Sequence, residues 1–279
     1  MANYKRIDAH HHFWNYKPEL FPWITPERMV VGRDFLPDEF EQVLRDADID
    51  ASVAVHNFRS LEETDQFLAY AKQYSFIKGV VGWFPLVDPE LKGILERYAK
   101  HPLIKGAREI MQFPDVAPYF SNPAFHAGLD LVSKYNLTFD LLIGPHQMKE
   151  SIQLVDAHPE LEIVLSHLGK PPIASGEIKE WSADFSEIAK RPNVVCKLSG
   201  LPLEAKLPNW TDADLKPCID LALECFGPDR LMFGSDWPPC LMATTYGRWV
   251  EVVEKAVAQL SESEQSAIWA GTAESVYQL

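Results

Sequence analysis

Short apolar runs of strand length alternate along this chain with stretches whose apolar residues recur at helical spacing. The apolar runs, which we predict to be β-strands, span residues 6–9, 51–55, 78–84, 104–109, 137–143, 162–166, 193–198 and 230–234. The amphipathic stretches, which we predict to be helices, span residues 37–47, 61–74, 89–100, 123–135, 147–158, 178–190, 212–226, 246–260 and 263–276. Prolines near several helix starts support these boundaries, because the first turn of a helix does not need their missing N–H.

Strands that are apolar on both faces belong in a parallel sheet that helices cover. This pattern predicts an α/β protein, and closure of its strands into a (β/α)8 TIM barrel is the simplest way to use their number. An open doubly wound sheet is the rival arrangement, but the first strand lacks the G-x-G-x-x-G turn that a dinucleotide would need. Because the sequence contains no internal repeat or linker, we expect residues 1–279 to form a single domain.

The composition argues against several classes of partner. The chain has 279 residues, of which 47% are hydrophobic, and its 26 basic and 40 acidic residues give a formal net charge of −14. A nucleic-acid surface needs excess cations to displace phosphate counterions, so we expect none. The sequence has no apolar stretch of about 18 residues and a polar N-terminus, so we expect neither membrane contact nor secretion. The four cysteines form no C-x-x-C pair and indicate reduced thiols in a cytoplasmic protein.

A run of three histidines ends the first predicted strand. Side chains alternate faces along a strand, so His10 and His12 are expected to point one way and His11 the other. A histidine run at a frayed terminus or a tag remnant is the plain alternative, but this run lies between Ile7 and an aromatic pair. Two adjacent neutral imidazoles are well suited to bind a divalent cation.

Further polar residues follow other predicted strands, at the end of a barrel where catalytic groups gather. They are His56 after the second strand, Arg108 at the end of the fourth, His167 after the sixth and Asp236 after the eighth. Each has a purely structural alternative. His56 could be a hydrogen-bonded histidine at the barrel rim, and Arg108 could form an ion pair. His167 could be packed in the core, and Asp236 could cap a helix. A guanidinium suits a carboxylate or a polarised carbonyl. Because Pro238 and Pro239 argue against an immediate helix, we favour Asp236 as a general base.

The remaining sequence features carry less chemistry. His101, His126, His146 and His158 are scattered outside the strand ends and are expected at the surface or in loops. The irregular segment 15–36 follows the first strand and is rich in aromatic residues, so it is either a lid or wall of the substrate site or simple packing.

Five motifs together resemble the sugar-lactonase branch of the amidohydrolase superfamily, which includes L-fuconolactonase-like, L-rhamnonolactonase-like and dicarboxylate lactonases. They are I-D-A-H-H-H-F-W at 7–14, K-G-A-R at 105–108, L-S-H-L-G-K-P at 165–171, C-K-L-S-G-L at 196–201 and G-S-D-W-P at 234–238. The resemblance runs in order from the first strand to the last. It implies a distorted (β/α)8 barrel with His10, His12, His167 and Asp236 in the active site and Arg108 on the substrate.

The metal content expected from this resemblance is small. The fifth strand offers no histidine, and the fourth ends in Arg108 and Glu109 rather than in a bridging lysine, so a binuclear centre is not expected. The resemblance implies at most one Zn²⁺ or other divalent ion, held by His10, His12, His167 and Asp236 or some subset. Some lactonases of this branch work without a metal, so metal-independent activity is also open.

These inferences predict hydrolysis of a sugar lactone, a small-molecule substrate. Asp236 would be the base, with His167 and Arg108 assisting, and the predicted substrate-binding residues are Arg108, His56, Trp14, Trp23 and Trp83. A decarboxylase of the same superfamily acting on a carboxylated aromatic acid is the alternative, and a non-catalytic sugar- or metal-binding protein is a third. A homo-oligomer is compatible with the sequence.

Overall fold

Eight parallel strands lie side by side in sequence order and form the inner wall of a barrel. The computed structural model describes residues 4–112 and 114–279. The strands are β1 (Ile7–His11), β2 (Ala51–Val55), β3 (Ile77–Gly82), β4 (Ile104–Ile110), β5 (Thr138–Leu142), β6 (Ile163–Leu165), β7 (Val194–Leu198) and β8 (Leu231–Phe233). All eight predicted strands are confirmed, with ends that shift by at most two residues.

Helices follow the strands and cover the outside of the barrel. The α-helices are α1 (Pro37–Asp46), α2 (Leu61–Gln73), α3 (Leu91–Tyr98), α4 (Pro123–Lys134), α5 (Met148–Ala157), α6 (Ile178–Ile188), α7 (Leu201–Glu204), α8 (Asp212–Phe226), α9 (Tyr246–Val257), α10 (Glu262–Ser266) and α11 (Thr272–Tyr277). The stretch predicted as one helix over 263–276 is interrupted by a π-helical turn, Ala267–Gly271. Within the described ranges, no helix has the length and apolar character needed to cross a bilayer.

The helix starts follow ordinary capping chemistry. The side chains of Ser60, Asn122 and Thr245 accept hydrogen bonds from backbone N–H groups in the first turns of α2, α4 and α9. Such caps satisfy donors that have no partner inside the helix and typically contribute about 1 kcal/mol each. Helices α2, α4 and α9 therefore begin where the sequence supplies a cap, and α1 and α4 begin at a proline.

The barrel closes irregularly between its first and last strands. The backbone N–H of Asp236 donates to the carbonyl of His10 at 2.8 Å, and the N–H of His12 donates to the carbonyl of Trp237 at 2.7 Å. The Asp8 carboxylate spans the same seam by accepting from the N–H groups of His10 and Ser235. These contacts replace a regular ladder, and the distorted barrel is confirmed.

The segment 15–36 packs over the carboxyl-terminal side of the barrel. Phe21, Val31 and Phe35 are buried, and a short 3-10 helix, Pro26–Val31, lies against the turn Pro239–Met242 that follows β8. The segment therefore packs firmly, and it does so beside the strand ends where catalytic groups gather in this fold.

A charged group is buried inside the barrel. Lys197 of β7 donates to Asp140 of β5 at 2.6 Å, and both side chains are fully buried. Tyr277 of α11 donates its hydroxyl to the same carboxylate, with O···O distances of 2.9 and 3.0 Å. A buried ion pair is tolerated only when each charge keeps a partner.

Replacing one member of this pair should destabilise the protein more than replacing both. Lys197→Met leaves the Asp140 carboxylate without its cation, and we expect a loss of about 3–5 kcal/mol in unfolding free energy. The double variant Lys197→Met/Asp140→Asn removes both charges and should lose clearly less. Urea unfolding followed by fluorescence measures both, and a double variant at least as unstable as the single one would contradict the ion-pair interpretation.

Two helical glycines should respond oppositely to alanine. A Cβ at Gly128 of α4 would overlap the backbone carbonyl of Leu86, whereas a Cβ at Gly93 of α3 meets nothing within 4 Å. We expect Gly128→Ala to destabilise by about 1–3 kcal/mol because backbone must move. Gly93→Ala should stabilise by about 0.5–1 kcal/mol by lowering the entropy of the unfolded chain. Thermal melts of the two variants, measured side by side, should shift in opposite directions.

Candidate active site

Four side chains from opposite ends of the sequence meet at the carboxyl-terminal mouth of the barrel. Oδ1 of Asp236 lies 3.4 Å from Nε2 of His12 and 3.8 Å from Nε2 of both His10 and His167. The ring centroid of His10 lies 4.9 Å from that of His12 and 4.5 Å from that of His167. The structure therefore brings together the residues predicted for the metal or the base, around one carboxylate oxygen.

The third histidine of the run lies outside this cluster. His11 points to the opposite side of β1, where its Nε2 lies 2.9 Å from Ser52 Oγ and its ring packs on Phe13 and Phe40. The two-residue period of an extended strand explains this separation. His11 is a packing residue here, as the alternation predicted.

Strained backbone positions two of the site residues. His167 and Asp236 have φ of 54° and 56°, the left-handed region that non-glycine residues rarely occupy. Gly200, also left-handed, lies behind the His167 ring, and a Cβ there would come within 2.7 Å of Nδ1. Backbone strain of this kind is commonly found where a side chain must be aimed at a functional site.

Hydrogen bonds to Nδ1 orient two of the imidazoles. His12 Nδ1 donates to the carbonyl of Val55 at 2.7 Å, so that Nε2 presents its lone pair to Asp236. His167 Nδ1 lies 2.8 Å from Ser199 Oγ, which fixes the plane of that ring. Partners of this kind on the outer nitrogen are characteristic of histidines that bind metals or act in catalysis.

His10 is oriented differently, by a lysine. Its Nδ1 lies 3.2 Å from Nζ of Lys197, and an ammonium can only donate. In that arrangement the proton of a neutral ring is on Nε2. This Nε2 is buried, faces Asp236 and has no hydrogen-bond partner among the described residues. Such an orphaned buried group indicates that a ligand completes the site.

Electrostatics favour neutral imidazoles beside an ionised carboxyl. Burial lowers the pKa of His10 and His12 and lowers that of His167 to about 3, so the rings are uncharged at neutral pH. Burial by itself would raise the pKa of Asp236, but the positive charges that His167 and His12 gain at low pH outweigh it and leave that pKa below its usual value. Asp236 is thus a carboxylate able to accept a proton at neutral pH.

The same cluster has the composition of a divalent-metal site. Ligand atoms of His10, His12 and Asp236 lie within 4.8 Å of one another, and all three residues are buried. Two imidazole nitrogens and one carboxylate oxygen match the ligands of catalytic zinc, with His167 in reach as a further nitrogen. The residues present therefore fit a single divalent ion.

Arg108 and His56 hold each other beside this cluster. Nη2 of Arg108 donates to the carbonyl of His56, Nε of Arg108 lies 3.3 Å from His56 Nε2, and that Nε2 lies 2.9 Å from the Arg108 carbonyl. Burial lowers the pKa of Arg108 to about 10, so it remains a cation at neutral pH. The contacts seen for His56 thus fix the guanidinium, and its contact with substrate stays a prediction.

The three predicted aromatic residues differ in accessibility. Trp14 is 4% exposed, its ring packs on Phe21 and Phe35, and its indole N–H donates to the Arg33 carbonyl. Trp23 and Trp83 are half-buried, and the indole N–H of Trp83 donates to Glu109 at 3.2 Å. A sugar could stack on Trp14 only if Phe21 and Phe35 moved away from the indole ring. The half-buried Trp23 and Trp83 are therefore better placed for that role.

The structure adds residues that the sequence interpretation left without a role. Lys197 orients His10, Ser199 orients His167, and Asp8 fixes the β1–β8 seam. Charged residues within otherwise apolar strands were the available signal for Asp8 and Lys197. His158, predicted to be a surface or loop residue, lies in the loop after α5, where it is buried between His126 and Asp130.

Known proteins resemble this chain over nearly its full length. A family model described as Amidohydrolase matches residues 7–279. A protein from Burkholderia multivorans named L-fucono-1,5-lactonase is 35% identical over 284 residues, covering 98% of this chain and 96% of its own length. A protein of the same name from Burkholderia ambifaria is 31% identical, again over 98% of this chain and 96% of its own length.

The fold is shared with a solved structure as well. A crystal structure of an amidohydrolase from Burkholderia multivorans, described as having bound Zn, superposes with a TM-score of 0.94 at 35% identity and 99% coverage of each chain. The family model covers the strands that carry every group of the site described above. By sequence and by fold, this chain belongs to the amidohydrolase family.

Proposed function

We propose that this chain hydrolyses a sugar lactone. The observation that carries the proposal is the Asp236 carboxylate, which is surrounded by three imidazole Nε2 atoms at 3.4–3.8 Å in the barrel mouth. A base in a buried polar site, with a free donor such as His10 Nε2–H, is what attack of water on an ester carbonyl requires. The relatives named L-fucono-1,5-lactonase, at 31–35% identity over 98% of the chain, support the same substrate class.

Asp236 is the general base of the proposed reaction. Its carboxylate takes a proton from a water molecule, whose oxygen attacks the lactone carbonyl carbon and forms a tetrahedral oxyanion. The carbonyl then re-forms, the bond from carbon to the ring oxygen breaks, and Asp236 returns the proton to that oxygen. The product is an open-chain hydroxy acid.

The developing negative charge needs fixed donors, and this chain supplies them. Nε2–H of His10 faces the site without a partner, and the Arg108 guanidinium is held by His56 at the end of β4. Donors that are already oriented typically contribute several kcal/mol to stabilising such an oxyanion. Arg108 is also suited to hold the substrate carbonyl or a hydroxyl by two parallel hydrogen bonds.

A divalent ion fits the same residues. His10, His12 and Asp236 would hold it once His10 Nε2 has given up the proton assigned to it above, with His167 available as a further ligand, and Zn²⁺ suits this donor set. When bound, such an ion polarises a carbonyl and lowers the pKa of a coordinated water.

Asp236→Asn should leave a folded protein that has lost most of its turnover. Loss of a general base typically lowers kcat by about 10²–10⁴-fold. A panel of aldonolactones monitored with a pH indicator measures the rate, and Asp220→Asn, a change in an exposed carboxylate on α8, is the matched control. Near-native turnover by Asp236→Asn would rule out the base assignment. Release of CO₂ from a carboxylated aromatic acid, without lactone hydrolysis, would favour the decarboxylase alternative.

Zinc uptake should depend on the cluster and can be measured apart from activity. After chelation and dialysis, we expect the native protein to take up about one Zn²⁺ per chain, and His12→Gln to weaken binding by at least about 10-fold. His101→Gln, a change outside the barrel mouth, should bind like the native protein. Elemental analysis and competition with a chromogenic chelator give both quantities. Equal uptake by native protein and His12→Gln would place the metal elsewhere.

A further inference from the structure

A left-handed turn after β6 places a lysine at the carboxyl-terminal end of the barrel. Residues 167–170 all have positive φ, of 54°, 53°, 64° and 56°, although only Gly169 lacks a side chain. Each non-glycine residue in this region costs roughly 1 kcal/mol. The N–H of Lys170 donates to the carbonyl of His167 at 2.8 Å, which closes a tight turn. Lys170 therefore directly follows the turn that holds His167.

Lys170 lies close to the catalytic cluster along the chain. It closes the turn that begins at His167, whose Nε2 lies 3.8 Å from Oδ1 of Asp236. Its Nζ lies 3.4 Å from Oε1 of Glu204, the last residue of α7, which directly follows β7. Lys170 and Glu204 thus follow neighbouring strands on the face of the barrel that holds Asp236.

This ion pair differs from the others in its burial. The Lys170 and Glu204 side chains are each 25% exposed, whereas Lys216 and Asp220 on α8 are 68% and 50% exposed and Lys197 and Asp140 are fully buried. Among residues 4–112 and 114–279, the ion pair is the one polar contact of either side chain. Ammonium N–H groups and the second carboxylate oxygen therefore remain available, at a partly enclosed site, for a ligand.

We propose that Lys170 and Glu204 together recognise neighbouring hydroxyl groups of the substrate, an inference that rests on the proposed lactonase function. The ammonium donates to one hydroxyl oxygen, and the carboxylate accepts from the next hydroxyl. Their separation is comparable with that of adjacent hydroxyl oxygens on a sugar. A donor and an acceptor side by side suit a diol, because each hydroxyl both donates and accepts.

The pairing also indicates which substrates are disfavoured. A lysine alone would attract a carboxylate, but Glu204 neutralises that charge and would repel a second anion at the same place. The pair therefore favours an uncharged polyhydroxylated lactone over a dicarboxylate lactone. A site built to bind hydroxyl groups also discriminates against substrates that lack them, because its polar groups are then left unpaired.

Two variants and two kinds of lactone test this assignment. Lys170→Met and Glu204→Gln each remove one charge, and Lys216→Met changes an exposed ion pair on α8 as the control. Each protein is assayed with aldonolactones and with unsubstituted δ-valerolactone. Where turnover of δ-valerolactone is below detection, its affinity is measured as inhibition of aldonolactone hydrolysis. Thermal melts show that each variant is folded.

We expect the two variants to lose activity selectively on aldonolactones. Both variants should lower kcat/KM for aldonolactones by about 10- to 100-fold, mainly through KM, and leave the value for δ-valerolactone within about threefold of native. Equal losses on both lactones, or no loss with folded Lys170→Met and Glu204→Gln, would overturn the inference while leaving the lactonase proposal intact. If the native protein hydrolyses no lactone at all, the proposed function itself fails, which is a different result.

Discussion

The joining of β1 to β8 is the constraint on which the rest of this structure depends. A backbone hydrogen bond from Asp236 to His10 and another from His12 to Trp237 bring the two edge strands together. The Asp8 carboxylate braces the seam through the N–H groups of His10 and Ser235 and through the hydroxyl of Tyr246. Because the imidazoles are on one strand and the carboxylate follows the other, the chemistry exists only where the barrel is closed.

Much of this arrangement follows from the local sequence. Continuous apolar runs predicted all eight strands. The two-residue period of a strand predicted that His10 and His12 point to one face and His11 to the other. The rule that catalytic groups follow the strands of a barrel then selected His167 and Asp236, which the structure places beside the first two. These inferences worked because burial on both faces of a parallel strand and side-chain alternation are strictly local properties.

Other features could not be predicted from local preference. β6 and β8 are only three residues long, since the chain leaves the sheet at Ser166 and Gly234 to enter left-handed backbone at His167 and Asp236. Local propensity disfavours positive φ at such residues, so only tertiary packing accounts for them. The Lys197–Asp140 pair is similar, because each charge is acceptable inside the barrel only in the presence of the other.

The closure of the barrel also bears on the order in which the molecule folds. The contact between the Asp8 carboxylate and the N–H of Ser235 spans 227 positions of the chain. Neighbouring strands such as β1 and β2 require far shorter loops, and long-range contacts form late because the loop entropy must be overcome first. A folding intermediate can therefore contain most of the sheet and still have no catalytic centre, so recovery of activity should be among the last signals to appear during refolding.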